Sequence, residues 1–463
     1  MPSTDIRSGR LPPERLARNF ADIHPPLTPA QARIESERCY YCFDAPCVAA
    51  CPTGIDIPSF IRRIAEDNLR GAARAILEEN IFGGMCARVC PTEVLCEQAC
   101  VRNVAEDKPV EIGALQRHAT DHLMAQRGPA PLFTRAPASG KRVAVVGAGP
   151  AGLACAHRLA WLGHDVVVFD AGAKAGGLNE YGLAAYKTPD DFAQKEIAWL
   201  LEIGGISVRH GQALGRDFTL DTLAAQHDAV FLAIGLGGVH ALGIDGEDLA
   251  GVENAVDFIA RLRQTADLST LSIGRRVLVV GGGMTAIDAA VQSKKLGAEE
   301  VTIVYRRGQA KMPASAHEQA LAQRSGVLIR DFSVLKQLHA EDGRLTGATF
   351  ASLREEADGR LVEAGATWHA GADMLFKAIG QALDERVASG LALHAGRIRV
   401  DARGKTSRER VWAGGDCTFG GKDLTVEGVE HGKIAAHAID AALRGGAAAP
   451  AGVPTCTHVR RTT

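Results

Sequence analysis

Eight of the eleven cysteines fall within one short stretch: Cys39, Cys42, Cys47, Cys51, Cys86, Cys90, Cys96 and Cys100. The first four run C-x2-C-x4-C-x3-C into Pro52, and the second four run C-x3-C-P-x4-C-x3-C, with Pro91 after Cys90. Thiolates at this density imply something to hold. Zinc takes one tetrahedral ligand set per ion, usually from paired C-x2-C knuckles. Iron–sulfur cubes take four ligands each, often in short spacings closed by Cys-Pro, and the last cysteine of a run commonly crosses to the other cluster. Only the first group has a C-x2-C, and each group has its Cys-Pro. The pattern favours two [4Fe-4S] clusters over zinc or plain buried thiols. On spacing alone, eight cysteines already match eight ligand positions, Cys86 included.

A second chemistry lies in glycine turns. The strand Val143-Ala-Val-Val146 runs into Gly147-Ala148-Gly149-Pro150-Ala151-Gly152 and a helix to about Gly163, and the strand Val166 to Phe169 ends at Asp170. Such glycines let the backbone reach a pyrophosphate on a helix N-terminus, and the acid binds a ribose hydroxyl. The pattern returns as Val277 to Val280, then Gly281-Gly282-Gly283-Met284-Thr285-Ala286, a helix to about Leu296 and the strand Val301 to Val304. Tyr305 stands where Asp170 stood, followed by Arg306 and Arg307. A missing acid with arginines beyond it favours a 2′-phosphate, hence NADPH. If both arginines only cover a solvated strand end, NADH is the coenzyme.

Two nucleotide folds in one chain imply a resident FAD and a visiting nicotinamide. Ala233-Ile234-Gly235 and Ala378-Ile379-Gly380 each follow an apolar strand, where small residues admit close approach. Gly415 and Asp416 follow the strand beginning at Val411; the acid is placed for the flavin ribityl chain, or else is an ordinary helix N-cap. Thr425 to Lys433 opens a helix whose positive end suits the flavin ring. The glycine loop Gly176-Gly177-Leu178-Asn179-Glu180-Tyr181-Gly182 is suited to wrap FAD, and Lys187 joins the cofactor-binding candidates. Cys155 and Cys417 form no C-x4-C or C-x2-C pair beside the flavin, which argues against a disulfide reductase. Electrons must leave through the amino-terminal clusters, and no catalytic acid, base or nucleophile is expected.

These elements need a fold to position them. The expectation is α/β: an N-terminal all-helical Fe-S domain followed by two Rossmann-like dinucleotide-binding domains, for FAD and NAD(P), the second inserted in the first. The boundaries are 1–135 for the cluster domain, 136–250 and 381–446 for the FAD domain, 251–380 for the NAD(P) domain and 447–463 for a tail. Within the first domain, one helix opens at Ile57 and carries Phe60, Ile61, Ile64 and Leu69. Another covers Ala72 to Leu77, and a third Ile112 to Leu123. Residues 1 to about 35 form an arm with short helices, and 129–140 a linker. A net charge of -2 gives no electrostatic case for nucleic acid. No apolar run approaches the roughly 20 residues that span a bilayer. The polar N-terminus carries no secretory signal, and clustered thiols without export predict the cytoplasm.

Three segments carry a resemblance. Cys39-Tyr-Tyr-Cys-Phe-Asp-Ala-Pro-Cys-Val-Ala-Ala-Cys-Pro52, Cys90-Pro-Thr-Glu-Val-Leu-Cys96 and Ile112-Gly-Ala-Leu-Gln116 resemble the N-terminal half of dihydropyrimidine dehydrogenase and its separate bacterial PreT-type subunits. The likeness runs from about residue 30 to 445, and the glutamate synthase small subunit is a more distant relative. It implies interleaved clusters, one on Cys39, Cys42, Cys47 and Cys100, the other on Cys51, Cys90, Cys96 and the side-chain oxygen of Gln116. Cys86 is then a spectator, whereas spacing alone would make Gln116 a surface helix residue. The Cys-Pro-x4-Cys spacing and Gln116 favour the pyrimidine system over glutamate synthase.

By this resemblance the chain is an electron-input subunit. NAD(P)H electrons pass through FAD and two clusters to a separate FMN-containing, PreA-like catalytic subunit that reduces uracil or thymine, within a heterotetramer. No nucleic acid or membrane partner is expected. The alternatives are the small (beta) subunit of NADPH-dependent glutamate synthase or a related NAD(P)H:acceptor electron-transfer subunit and, from another class, an assembly protein with structural clusters. The family's 2′-phosphate arginine falls near Lys311-Met312-Pro313, and PreT subunits are NAD-dependent, so NAD and NADP both stand.

Overall fold

The computed structural model describes residues 5–126, 128 and 130–445; the expected tail lies outside the described residues. The chain forms two compact units, each built from discontinuous segments.

The larger unit comprises His24–Glu180, Asp190–Gly237 and the chain from Leu383. Its five-stranded sheet is parallel, in the spatial order Val411–Ala413, Ala229–Leu232, Arg142–Val146, Asp165–Phe169, Ile206–Arg209. The central strands are near-continuous Val, Ala, Phe and Leu because helices cover both faces of such a sheet. The helix Pro150–Trp161 crosses from the first strand to the second. The long helix Thr425–Leu443 packs on it so closely that a Cβ at Gly432 would lie 2.2 Å from the Ala151 carbonyl oxygen.

The cysteine region belongs to this same unit and is helical. Its main elements are Pro29–Glu37, Ile57–Ala65, Leu69–Glu79, Gly83–Val89 and Ile112–Ala125. The expected helix through Ile64 and Leu69 is broken: Asp67 sits at φ 59°, and the Asn68 side chain caps the next helix by accepting from Gly71 N–H at 2.9 Å. Leu69 therefore starts the second helix. Buried polar anchors tie the region to the nucleotide sheet's helices. Lys433 Nζ donates to the Thr53 carbonyl at 2.8 Å and pairs with Glu79 at 2.7 Å and Glu430 at 2.9 Å.

The smaller unit comprises the chain up to Ile23, Tyr181–Pro189 and Gly238–Ala382. Its parallel sheet, in the order Val252–Asn254, Met374–Lys377, Arg276–Val280, Glu300–Val304, Leu328–Arg330, repeats the larger unit's arrangement in four strands but has an edge strand that comes first in sequence instead of last. A three-stranded antiparallel sheet of Ser333–Glu341, Arg344–Glu355 and Leu361–Gly371 lies between its last two parallel strands in sequence. The N-terminal arm is built into this core rather than extended: Leu16 and Phe20 are buried in it, and Asn19 Nδ2 donates to the Lys295 carbonyl at 2.7 Å. Among the described residues no helix is long and apolar enough to cross a membrane.

Candidate functional site

Each glycine of the first turn has a separate steric reason. Gly147 stands at φ 102°, and a Cβ there would lie 2.2 Å from the Ala233 carbonyl oxygen. Ala233-Ile234-Gly235 thus closes the turn against the backbone. Gly152 would place a Cβ 1.9 Å from the Gly147 carbonyl oxygen. Gly149, between them, is open: its nearest neighbour to a Cβ is Gly177 Cα at 3.8 Å. That is the space a pyrophosphate needs above the helix N-terminus. The helix Pro150–Trp161 has Gly149 as N-cap, Pro150 at its first turn and no capping side chain or first-turn acid. Its first N–H groups are left for an anion.

Asp170 stands beside this turn. One carboxylate oxygen accepts from Ala148 N–H at 2.6 Å and the other from Gly172 N–H at 2.7 Å. Gly176 donates its N–H to the Ala148 carbonyl at 2.7 Å, and the Gly176-Gly177-Leu178 loop comes down on Gly149. The next residue, Asn179, is buried. Its Oδ1 accepts from Thr425 Oγ1 at 2.8 Å, and its Nδ2 has no partner. This orphaned donor, between the loop and the start of the Thr425 helix, suits a polar cofactor. Asn179 belongs to the loop that the sequence marks for FAD, but the sequence gives this amide no role of its own. Gly415 lies at φ 75° with its N–H on His431 Nδ1 at 3.0 Å. Asp416 is no helix cap, since the following helix starts at Thr425 with Leu424 as N-cap. Burial, reinforced by Asp423 and opposed by Arg397, raises its carboxyl to about 6.

The second turn repeats these roles. A Cβ at Gly281, φ 145°, would lie 2.1 Å from the Ala378 carbonyl oxygen, whereas nothing lies within 4 Å of one at Gly283. Gly380, two residues beyond Ala378, stands at φ 101°. The helix Met284–Leu296 begins with Met284 and Thr285, has Gly283 as its N-cap and buries Ala286. The Tyr305 ring lies over Gly282, and its hydroxyl donates to the Lys311 carbonyl at 2.9 Å. Lys311 itself pairs with Glu355. Arg306 and Arg307 are both exposed. Lys187 is tied through Asp288 to the helix that follows this turn. Its buried ammonium is held by Asp288 at 2.8 Å and Glu318 at 2.7 Å. Burial opposes the charge, but the two carboxylates outweigh it and raise the pKa.

The cysteines gather across their sequence groups. Cys39, Cys42 and Cys47 of the first group and Cys100 of the second line one cavity, with Ile57, Ile61 and Val110 among its apolar walls. Burial first, then the neighbouring sulfurs of Cys100 and Cys39, pushes the Cys47 thiol up to about 12. The Cys39 thiol is raised by burial and by Cys100 and Cys42, against the Tyr41 N–H that reaches its sulfur at 3.4 Å. A hydrogen bond with Cys86, then burial, raises the Cys90 thiol, and Cys51 and Cys96 add to it. Thiols crowded this way stay protonated until a metal charge displaces the protons. Among the described residues no three His, Cys, Asp or Glu side chains are gathered as ligands of a single ion. Four sulfurs border the one cavity, the number of protein ligands that one iron–sulfur cube takes. Gln116 is buried, not a surface residue, and its Nε2 donates to the Gly83 carbonyl at 2.7 Å.

Comparisons with known proteins fit this geometry. The family model described as pyridine nucleotide-disulphide oxidoreductase matches residues 141–440, and that described as dihydropyrimidine dehydrogenase domain II, 4Fe-4S cluster, matches residues 16–128. The NAD-dependent dihydropyrimidine dehydrogenase subunit PreT of Escherichia coli O157:H7 is 35% identical over 429 residues, covering 92% of this chain and 98% of the relative. The glutamate synthase [NADPH] small chain of Halomonas elongata is 33% identical over 472 residues, covering 94% and 96%. Among solved structures, Mycobacterium tuberculosis FprA in complex with NADPH matches with a TM-score of 0.55 at 16% identity, over 68% of this chain and 87% of that one. At that identity the likeness concerns the fold alone.

Proposed function

We propose, from the premise that the chain belongs to the pyridine nucleotide-disulphide oxidoreductase family and, within it, to the group of PreT and glutamate synthase small-chain subunits, that it is the electron-input subunit of a dihydropyrimidine dehydrogenase. It is an NAD(P)H-dependent flavin and iron–sulfur oxidoreductase. Its proposed partner is an FMN-containing subunit that reduces uracil or thymine, in a heterotetramer. Two [4Fe-4S] clusters are proposed, one on Cys39, Cys42, Cys47 and Cys100, the other on Cys51, Cys90, Cys96 and Gln116. The observation that carries this reading is the cavity shared by Cys39, Cys42, Cys47 and Cys100, inside the same compact unit as the first glycine turn.

When bound, these cofactors supply the chemistry: hydride transfer from nicotinamide to flavin and one-electron carriage by iron and sulfide. The chain's residues bind and orient. Gly149 leaves room for the FAD pyrophosphate, Asp170 would take a ribose hydroxyl, and Asn179 from the first FAD segment and Thr425 from the second would meet the cofactor together. Gly283 offers the matching space for the nicotinamide coenzyme, with Arg306 and Arg307 beside it. Co-expression tests the reading: uracil-dependent NAD(P)H oxidation should require both this chain and the FMN-containing subunit. Such activity from this chain alone contradicts it. Glutamine-dependent activity with a glutamate synthase large subunit would favour the second reading, which the Halomonas relative supports.

Two predictions belong here. Asp416 is proposed to accept a hydrogen bond from the ribityl chain. A hydroxyl donor favours the ionised carboxylate, so bound FAD lowers the pKa from about 6, and binding releases a proton. Apoprotein affinity for FAD should rise with pH from about 5 to 7 and then level off. Asp416→Asn should flatten that rise in a fluorescence titration; an unchanged slope excludes Asp416 as its source. Separately, Arg306→Ala with Arg307→Ala should raise KM for NADPH roughly tenfold, the value of one lost charge-assisted contact, and leave KM for NADH alone. Equal effects on both coenzymes would mean that the arginines only cover a strand end.

A further inference from the structure

A single peptide group carries side chains from two distant parts of the larger unit. Its N–H, belonging to Gly84, donates to Glu196 Oε1 at 2.8 Å. Its carbonyl, belonging to Gly83, accepts from Gln116 Nε2 at 2.7 Å. The next N–H, of Met85, also reaches Glu196, at 3.1 Å from Oε1 and 3.2 Å from Oε2. Glu196 lies on the helix Phe192–Leu201, in the segment that follows the flavin loop, and is fully buried.

This arrangement fixes the Gln116 amide. A carbonyl oxygen only accepts, so the amide nitrogen must face Gly83, and the amide oxygen keeps its lone pairs for another partner. The two glycines make the approach feasible. A Cβ at Gly84 would lie 2.6 Å from Phe192 Cζ and 2.8 Å from Glu196 Oε1, and one at Gly83 would lie 2.5 Å from Ile76 Cγ2. Neither glycine has a positive φ, so close contact, not backbone strain, accounts for both.

We propose that Glu196 is a positioning residue for the oxygen ligand of the second cluster: it pins the Gly83–Gly84 peptide, and that peptide holds the Gln116 amide with its oxygen free for iron. The proposal rests on the assignment of Gln116 as a ligand made above. Hydrogen bonds in series through one amide polarise each other. A pull on the Gly84 N–H strengthens the Gly83 carbonyl as acceptor. The Gln116 N–H bond tightens, and its oxygen becomes the better donor to a metal.

The test is Mössbauer spectroscopy of the 57Fe-enriched holoprotein as isolated, which needs neither turnover nor reduction. Iron bound through oxygen gives a doublet distinct from thiolate-bound iron. The wild type should show it and Gln116→Ala should not. If the wild type lacks it, or Gln116→Ala keeps it, the ligand assignment fails, and the proposal with it. Where that control holds, Glu196→Ala with normal iron and flavin content should lose the doublet. Glu196→Gln, which keeps an acceptor oxygen for Gly84, should retain it. An unchanged doublet in Glu196→Ala overturns the proposal alone. Should Glu196→Ala not fold, Gly84→Ala decides, because its methyl displaces the carboxyl: loss of the doublet supports the proposal and an unchanged doublet overturns it.

Discussion

Gly152→Val should give a protein that holds its iron but no flavin, with NAD(P)H-driven reduction of an artificial acceptor below about one per cent of wild type. Even the first carbon of a side chain at this position would lie 1.9 Å from the Gly147 carbonyl oxygen. No rotamer relieves that contact, because it involves Cβ and backbone. The helix Pro150–Trp161 must back away from the turn, and its N-terminal N–H groups then lose their aim at the pyrophosphate. Overpacking of this kind costs about 1–3 kcal/mol, occasionally more. The unit has a large core to absorb that, so the lesion falls on the cofactor. Flavin absorbance and iron content on the purified variant check it. Full flavin occupancy would remove the first turn from the FAD site.

Cys100→Ala should lose about half the iron and all electron delivery to a protein partner. Flavin content and reduction of an artificial acceptor should stay close to wild type. The reason is positional. Cys100 lies in the second cysteine group by sequence, yet it lines the cavity of Cys39, Cys42 and Cys47. Removing it strips a ligand from the first set, and a cube with three protein ligands is labile. Cys86→Ser is the matched control. Cys86 is buried and hydrogen-bonded to Cys90, and its loss should leave the iron count unchanged. Full iron in Cys100→Ala, or half the iron in Cys86→Ser, would contradict the ligand sets.

These two expectations differ in how far the sequence alone supports them. The glycine turns are local. Strand, turn and helix lie within about thirty residues, so Gly147, Gly149 and Gly152 could be recognised with their roles. The alternation of strands and helices made two parallel α/β units legible for the same reason. The closing contacts were legible only as small residues after a strand. That Ala233 and Ala378 each place a carbonyl against a turn glycine is a tertiary fact.

The cysteine region was harder. Spacing names candidate ligands but not their partners, because the chain folds Cys100 back over Cys39 after some sixty residues. Gln116 gave no signal of its own: a glutamine on an amphipathic helix looks solvated, yet its amide is buried on Gly83. Leu69 fitted the preceding helix by periodicity, and only the left-handed Asp67 and the Asn68 cap break it. Glu196 went unnoticed, and Asn179 stood out only as a member of its glycine loop, because a lone acid or amide carries no pattern. Their importance comes from burial and from what they touch. The arm before Ile23 was legible as short helices but not as part of the core, because its prolines and charges hide two buried anchors, Leu16 and Phe20.

Metal and flavin content decides the central claim most directly. Purified without oxygen, the protein should be brown and contain about eight irons, matching sulfide and one FAD per chain, with no zinc. Colourless protein with stoichiometric zinc and no labile sulfide would mean that the cysteines hold the fold together and carry no electrons.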